Sequence, residues 1–281
     1  ELRELIRDWK QVKEQWTVFG CEEQPVVSLS PEHLTVEVAE GGAAHLVILC
    51  HEPRTSELKL HLAEGASLTV NLLFTAEAFL SLEADQEAHS SLKMTSVELG
   101  SANARLTINL RGRDAESEVN GVFLTGGEEH AELMIRTNHL AADCRSRSIA
   151  RGVAGGKSVG RFEGMVYVAQ DAQRTDAEQQ NRNLLLSQKA RIETMPQLEI
   201  YADDVKCAHG STVGQLNDAA LFYMQQRGIS QKEAKLLLEF AFINEVVDTI
   251  QLAPLRDRLH HLVEKRFRGE LSKCVGCKLC R

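Results

Sequence analysis

Apolar residues along much of this chain alternate with polar ones in short runs. Leu34, Val36 and Val38 form one run; Leu58, Leu60 and Leu62 form another, as do Leu68, Val70, Leu72 and Phe74, then Leu106, Ile108 and Leu110, and finally Leu198 and Ile200. A period of two places such side chains on one face of an extended strand, so each run predicts a half-buried strand. Small, polar and glycine residues separate the runs and predict turns at Ala39 to Gly42, Glu64 to Ala66, Gly100 to Ala104, Gly126 to Glu129 and Gly152 to Lys157. No helical periodicity interrupts residues 30–200, so the middle of the chain is all-β, either a sandwich or barrel or a solenoid of stacked coils. Low aromatic content leans toward coils, whose rungs need only small and branched aliphatic residues inside. No exact repeat period emerges.

The flanks differ in texture. Leu2, Leu5, Ile6, Trp9 and Val12 recur at helical spacing and predict an amphipathic helix over residues 1–16. Beyond Gly214, Asn217 is placed to cap a helix that Gly228 stops. Ser230 and Glu233 have the spacing of a capping box opening a second helix through Leu236, Leu237, Phe240, Ile243 and Val247. Pro254 suits the first turn of a third, ending near Gly269. The predicted organisation is a helix at 1–16, a β core at 17–214, a helical subdomain at 215–270 and a cysteine-rich tail at 271–281.

Composition narrows the class. With 43% hydrophobic and 26% charged residues and five prolines, the 281-residue chain reads as a folded protein. A formal charge of −8 argues against broad capture of nucleic acid or an anionic membrane. The last 27 residues are an exception, with eight Lys/Arg against three Asp/Glu, a net of +5. No run approaches a membrane span, and seven unevenly spread cysteines suit reduced thiols in the cytosol better than a disulfide framework. Glu1 rather than Met opens the sequence, which leaves room for a preceding leader or domain.

Two motifs fail on inspection. Gly152-Val-Ala-Gly-Gly-Lys-Ser158 is one residue short of a phosphate-binding loop and precedes a strand-like stretch where that motif needs a helix. His130-Ala-Glu132 with Cys274-Val-Gly-Cys277 outlines a zinc deaminase, but the halves lie far apart in sequence and Lys273 stands where that signature has proline. No nucleophile, base and acid set stands out. Cys207 and His209 are two residues apart on the last β segment and so share a face, forming part of a soft metal or cluster site. The plainer alternative is a buried thiol and a hydrogen-bonded imidazole.

The run from Arg174 to Ile250 resembles the SufB/SufD family and lies nearer its SufD side. The resemblance rests on the Thr175-Asp-Ala…Gln180-Asn-Arg-Asn-Leu-Leu-Leu-Ser187 block, on Pro196-Gln-Leu-Glu-Ile200, and on Lys206-Cys-Ala-His-Gly-Ser-Thr-Val-Gly214. It implies a right-handed parallel β-helix with flanking helices, in a non-catalytic subunit of a cytoplasmic iron-sulfur cluster assembly complex. Partners implied are a SufB-like subunit, or a second copy, at the β-helix end and the ATPase SufC on the C-terminal helices. His209 and Cys207 match the interface where a transient cluster forms, with no cofactor held stably by this chain alone. Asn217, Leu221, Phe222, Leu236, Leu237, Phe240 and Ile243 match the SufC-binding region.

Two features depart from the family. The chain lacks most of the helical N-terminal portion, consistent with a fragment, and Cys274, Cys277 and Cys280 add three thiolates that could hold a metal or cluster, one ligand short of four. The competing function is therefore a metal or cluster carrier using that tail. A β-helix enzyme would need acidic and basic residues along a groove, and no such set is evident in the sequence.

Overall fold

The computed structural model describes residues 2–270. Nine odd-numbered strands pair in chain order into one sheet: β1 (Lys10–Gln11), β3 (Val26–Leu29), β5 (Ala43–Cys50), β7 (Ser67–Phe74), β9 (Ser91–Leu99), β11 (Glu116–Thr125), β13 (Arg145–Ala154), β15 (Asp176–Leu185) and β17 (Lys206–Gly214). The eight even-numbered strands form a second: β2 (Gln15–Val18), β4 (His33–Val38), β6 (Thr55–Leu62), β8 (Ala78–Gln86), β10 (Ala102–Leu110), β12 (His130–His139), β14 (Val159–Val168) and β16 (Arg191–Ile200). All pairings are parallel, so the chain winds as a flattened β-solenoid. Four helices flank it: α1 (Leu2–Ile6), α2 (Asp218–Gln226), α3 (Gln231–Val247) and α4 (Ala253–Phe267).

Register explains why no repeat was visible. Val26 pairs with Leu46, 20 residues on; Ala43 with Ser67, 24 on; Glu116 with Arg145, 29 on; Arg145 with Asp176, 31 on. The rungs lengthen along the solenoid, so no single period fits. One corner is built alike throughout: Gly41, Gly65, His89, Asp114, Asp143 and Arg174 all have positive φ, between 56° and 67°. Where charged residues take this costly conformation, ion pairs join the rungs. Asp143 accepts from Arg174 at 2.5 and 2.7 Å and pairs with Arg113 at 2.7 Å, and these guanidiniums, Arg174 foremost, hold its carboxyl below the usual range.

The N-terminal helix is shorter than expected. α1 ends at Ile6, and the Val12 N–H donates to Val27 O at 2.9 Å, which draws residues 10–18 into the sheets. Val12 and Trp16 then bury themselves in the solenoid interior, a gain the helix could not offer them. The expected turn at Gly152 to Lys157 also starts later, because Gly152 lies inside β13 and the turn follows Ala154. A Cβ on Gly152 or on Gly160 would stand 2.3 Å from the Phe123 ring, so that ring fills the space two glycines leave. The three C-terminal helices form where expected, capped by Asn217 and Ser230 side chains, with Pro254 in the first turn of α4.

Two cores result. Inward positions such as Leu46, Ile48, Leu68, Val70, Leu72, Leu80, Leu82 and Phe123 fill the lumen. Outward positions of the nine-stranded sheet, including Val47, Leu49, Leu73, Val97, Val122 and Val153, pack on α1, α3 and α4 through Ile6, Ile243, Val246, Val247, Leu255 and Leu259. Among the described residues the eight-stranded sheet has no such cover: β6 alternates exposed and buried along its length, whereas β5 is buried on both faces toward its end. No helix among the described residues is long and apolar enough to cross a membrane.

One ion pair bolts the layers together. Arg151 on β13 is wholly buried, and its Nε and Nη2 donate to the two carboxylate oxygens of Glu245 on α3 at 2.9 and 2.6 Å. Nη1 donates to Ala150 O at 2.8 Å, and the Phe242 ring lies 5.8 Å from the guanidinium carbon. Glu245→Ala strands this charge. The loss expected in urea unfolding is about 2–3 kcal/mol, less than for a fully buried pair because water can reach the vacated side. Replacing Arg151 as well with Met should return much of it.

The lumen also holds titratable groups. Burial pushes the Glu98 carboxyl well above its ordinary range, opposed by a hydrogen bond from Ser96, and pushes the neighbouring Cys50 thiol up to about 12. Burial takes His139 down to about 4. Glu98 therefore stays protonated in the fold at a pH where the unfolded chain ionises it, so its contribution to stability falls as pH rises above about 4.5. Glu98→Gln removes that slope. The variant is expected to exceed the parent in urea-unfolding stability by a margin that widens from pH 5 to pH 8.

Candidate interface site at the open end of the solenoid

Parallel stacking leaves one strand of each sheet without a neighbour at each end of the solenoid. At the C-terminal end these are β16 and β17, and among the described residues no strand continues either sheet beyond them. Register fixes which side chains face the lumen there. Cys207, His209, Ser211 and Val213 pair with the buried Ala177, Gln179, Asn181 and Asn183 of β15. Ile192, Thr194, Pro196, Leu198 and Ile200 pair with the inward residues of β14. These positions are covered one rung earlier and partly bare here: Val213 is 42% exposed, Ile200 39%, and Met195 and Tyr201 on the same margin 41% and 61%.

The lumen turns polar as it approaches this end. Asn181 Oδ1 accepts from Thr194 Oγ1 at 2.9 Å, Ser211 Oγ at 3.1 Å and Asn183 Nδ2 at 2.5 Å, while Thr194 and Ser211 share a hydrogen bond of 2.6 Å. The network joins the last two rungs of the nine-stranded sheet to β16. His209 is exposed and lines a depression of about 350 Å³ with Gln179, Asn181, Arg182 and Ser211. Cys207 is half-buried against Val166, Val168, Ala177 and Ala202, and burial pushes its thiol above the ordinary value. A thiol so placed is a protonated, soft donor, not a ready nucleophile. His209 is the group free to meet a ligand or partner from outside.

The helical candidates divide into structural and surface residues. Asn217 Oδ1 caps α2 by accepting from Ala219 and Ala220 N–H at 2.9 and 3.1 Å. Ile243 is fully buried in the core beneath α3, and Leu221 and Leu236 are also buried, so these three are packed within the fold. Phe240 packs edge-on against His260 with centroids 5.8 Å apart. The side chains on offer are Phe222 and Leu237, at 62% and 41% exposure, together with Tyr223 at 60%, which the sequence reading passed over. It also passed over Met195, Tyr201 and Val213. The available signal was position: the last β runs before the helical texture at Gly214 must be edges. Cys274, Cys277 and Cys280 lie outside the described residues. Among those described, no group of three or more His, Cys, Asp or Glu residues is placed to hold a metal.

Comparison with known proteins agrees with this architecture. Residues 21–242 match the family model of the SUF system FeS cluster assembly SufBD core domain. The chain is 31% identical over 221 residues to the iron-sulfur cluster assembly protein SufD of Escherichia coli, covering 73% of this chain and 52% of that protein. A SufBD family protein of Synechocystis is 35% identical over 69% of this chain and 40% of its own length, and one of Mycobacterium leprae 28% identical over 83% and 63%. The chain thus spans about half the length of these relatives.

Thiol environment predicts an order of reaction. Cys21 is exposed, Cys207 half-buried, and Cys50 and Cys144 buried. Among these four cysteines, with iodoacetamide at neutral pH, peptide mass spectrometry should find Cys21 alkylated first and Cys207 at least several-fold more slowly. Cys50 and Cys144 should react only on unfolding.

Proposed function

The chain belongs to the SufBD core family of the SUF iron-sulfur cluster assembly system, and we propose that it serves there as a non-catalytic, cytoplasmic scaffold of the SufD type. Its last rung docks end-on against a SufB-like subunit, and its C-terminal helices carry a SufC-like ATPase, on which any ATP hydrolysis takes place. The observation that carries this reading is the bare C-terminal end of the solenoid, where two parallel strands, each paired on one side only among the described residues, present main-chain donors and acceptors beside Met195, Ile200, Tyr201 and Val213. Such an edge invites strand addition from a partner of the same architecture, and its apolar side chains gain by being covered.

His209 stands at that margin as an imidazole that a partner's residues can join around a nascent cluster, with Cys207 behind it as a protonated reserve thiol. The cluster is cargo of the shared interface and is not held by this chain alone. The exposed Phe222, Tyr223 and Leu237 give the ATPase an aromatic and aliphatic foothold, anchored through α3 to the sheet by Arg151 and Glu245. Arg151 offers a rigid route by which movement of the helices reaches the solenoid.

Co-purification of the chain with SufB-like and SufC-like subunits tests the proposal. A ternary complex is expected. Met195→Asp combined with Val213→Asp should release the SufB-like subunit and keep the ATPase, because charge on an open edge blocks strand pairing. Phe222→Glu with Leu237→Glu should do the reverse. His209→Ala should leave the complex intact and lower the cluster yield of anaerobic reconstitution. A chain that binds neither subunit overturns the proposal, and an unchanged yield removes His209 from it.

A further inference from the structure

The helices cover only part of the outer face of the nine-stranded sheet, and the turn between α3 and α4 marks where that cover stops. There Thr249 Oγ1 donates to Val246 O at 2.7 Å, so in its 2.9 Å bond with Thr95 Oγ1 of β9 the Thr95 hydroxyl is the donor. A cleft of about 150 Å³ opens between this turn and the strands. Asn71 of β7 and Thr95 lie on its sheet side, Thr249 and Gln251 on its helix side, and Lys93 and Glu118 at its rim.

Asn71 is the exceptional residue here. It is only 1% exposed, yet its Nδ2 has no partner among the described residues. Register shows why: its neighbours on the outer face are Val47, which offers no acceptor, and Thr95, whose hydroxyl is directed to the helix turn. A buried amide donor that the fold does not satisfy calls for an acceptor from outside it.

The rim carries both signs of charge. Lys93 and Glu118 are direct neighbours on β9 and β11, one strand spacing of about 4.8 Å apart at the backbone. Facing charges elsewhere on this surface close into ion pairs, Arg145 with Glu116 at 3.3 Å and Arg147 with Glu178 at 3.6 Å. No ion pair joins Lys93 to Glu118 among the described residues, and the Glu118 carboxylate accepts instead from Asn120 Nδ2 at 2.8 Å.

This set of groups selects among ligands. An oxyanion would meet Lys93 and Asn71 Nδ2 but face the Glu118 carboxylate. A cation would meet Glu118 but face an ammonium and an amide donor. A ligand whose carboxylate and ammonium are joined through one carbon satisfies all of them. The volume equals about five waters at ~30 Å³ each, which admits such a ligand only with a small side chain.

We propose that this cleft binds a small α-amino acid as its zwitterion. The carboxylate accepts from Asn71 Nδ2 and Lys93 Nζ, the ammonium donates to Glu118 and to the free lone pairs of Thr95 Oγ1, and Gln251 meets the ligand from the helix side. The bound molecule adds a second tie between sheet and helical subdomain, beside the bond from Thr95 to Thr249. The site is independent of the end-on docking proposed above.

Equilibrium dialysis of the whole chain against radiolabelled glycine or L-alanine tests this. Saturable binding of one equivalent is expected, with a Kd no tighter than roughly micromolar for ligands of five or six heavy atoms. Acetate and methylammonium, each with half the charge pattern, should compete at least about tenfold more weakly, and L-phenylalanine should not compete because it exceeds the volume. Lys93→Met and Glu118→Gln should each weaken alanine binding about tenfold or more, since each removes a charge-assisted hydrogen bond. Alanine should slow hydrogen exchange at residues 93–95 and 249–252 in the parent and not, at the same concentration, in Lys93→Met. Lys93 is exposed, so that variant keeps the fold, which circular dichroism checks. No saturable binding of either amino acid through the millimolar range means that water alone fills the cleft and overturns the proposal. Acetate or phenylalanine competing as well as alanine, or affinity unchanged in both variants, overturns it equally.

Discussion

Every element of this protein depends on lateral hydrogen bonding between successive parallel rungs. Each rung satisfies the one before it and needs the one after it, so the interior of the solenoid can be complete while its ends cannot. At the first end, β1 and β2 are short, at two and four residues. At the other, β16 and β17 keep nearly full length, at ten and nine residues. A long bare edge is a hazard in an isolated chain. It becomes an asset if a partner completes it.

The two faces of the solenoid solve different problems. Where the helices cover it, the nine-stranded sheet is apolar on its outer face as well as inside, through Val47, Leu49, Leu73, Val97, Val122 and Val153, so that stretch cannot stand in water without its helices. Those helices in turn owe their placement to the sheet: Ile243, Val246 and Val247 would have no cover elsewhere, and buried Arg151 would be intolerable without Glu245. The eight-stranded sheet is apolar only inside, and its outer face bears ordered polar pairs such as Asn109 with Asp85 at 2.8 Å and Asn138 with Asn109 at 2.7 Å. Parallel sheets are usually covered on both faces. Here a ladder of paired polar side chains takes the place of a second layer.

Much of this was legible from residues. Alternation located the strands, and capping residues located α2, α3 and α4, because both depend on local geometry. Period was hidden, since a rung is defined by its neighbour and the spacing drifts from 16 to 32 residues. Residues 10–16 were misassigned because Trp9 and Val12 suit a helix face as well as a strand, and only the tertiary bond from Val12 to Val27 decides between them. At the candidate site, Cys207 and His209 could be placed on one face by spacing. Their different exposures could not, since these follow from how much of the last rung the turn residues behind it cover. The exposure of Leu237 against the burial of Ile243 was likewise invisible, because α3 is apolar on more than one side.

The polar shift within the lumen has a consequence for that end. Early rungs hold leucine and valine, whose burial stabilises without demanding orientation. The last rungs hold Gln179, Asn181, Asn183, Thr194 and Ser211, which are stable in a dry interior only if each hydrogen bond is made. A network with such requirements tolerates few alternative registers of β16 and β17, so it fixes the geometry of the edge more strictly than an apolar filling would. Gln179 Oε1, without a partner among the described residues, and the exposed His209 above it mark where that strictness ends. Whatever covers this rung must therefore bring hydrogen-bond donors as well as apolar surface, a combination that another strand pair of the same kind supplies and a purely hydrophobic cap does not.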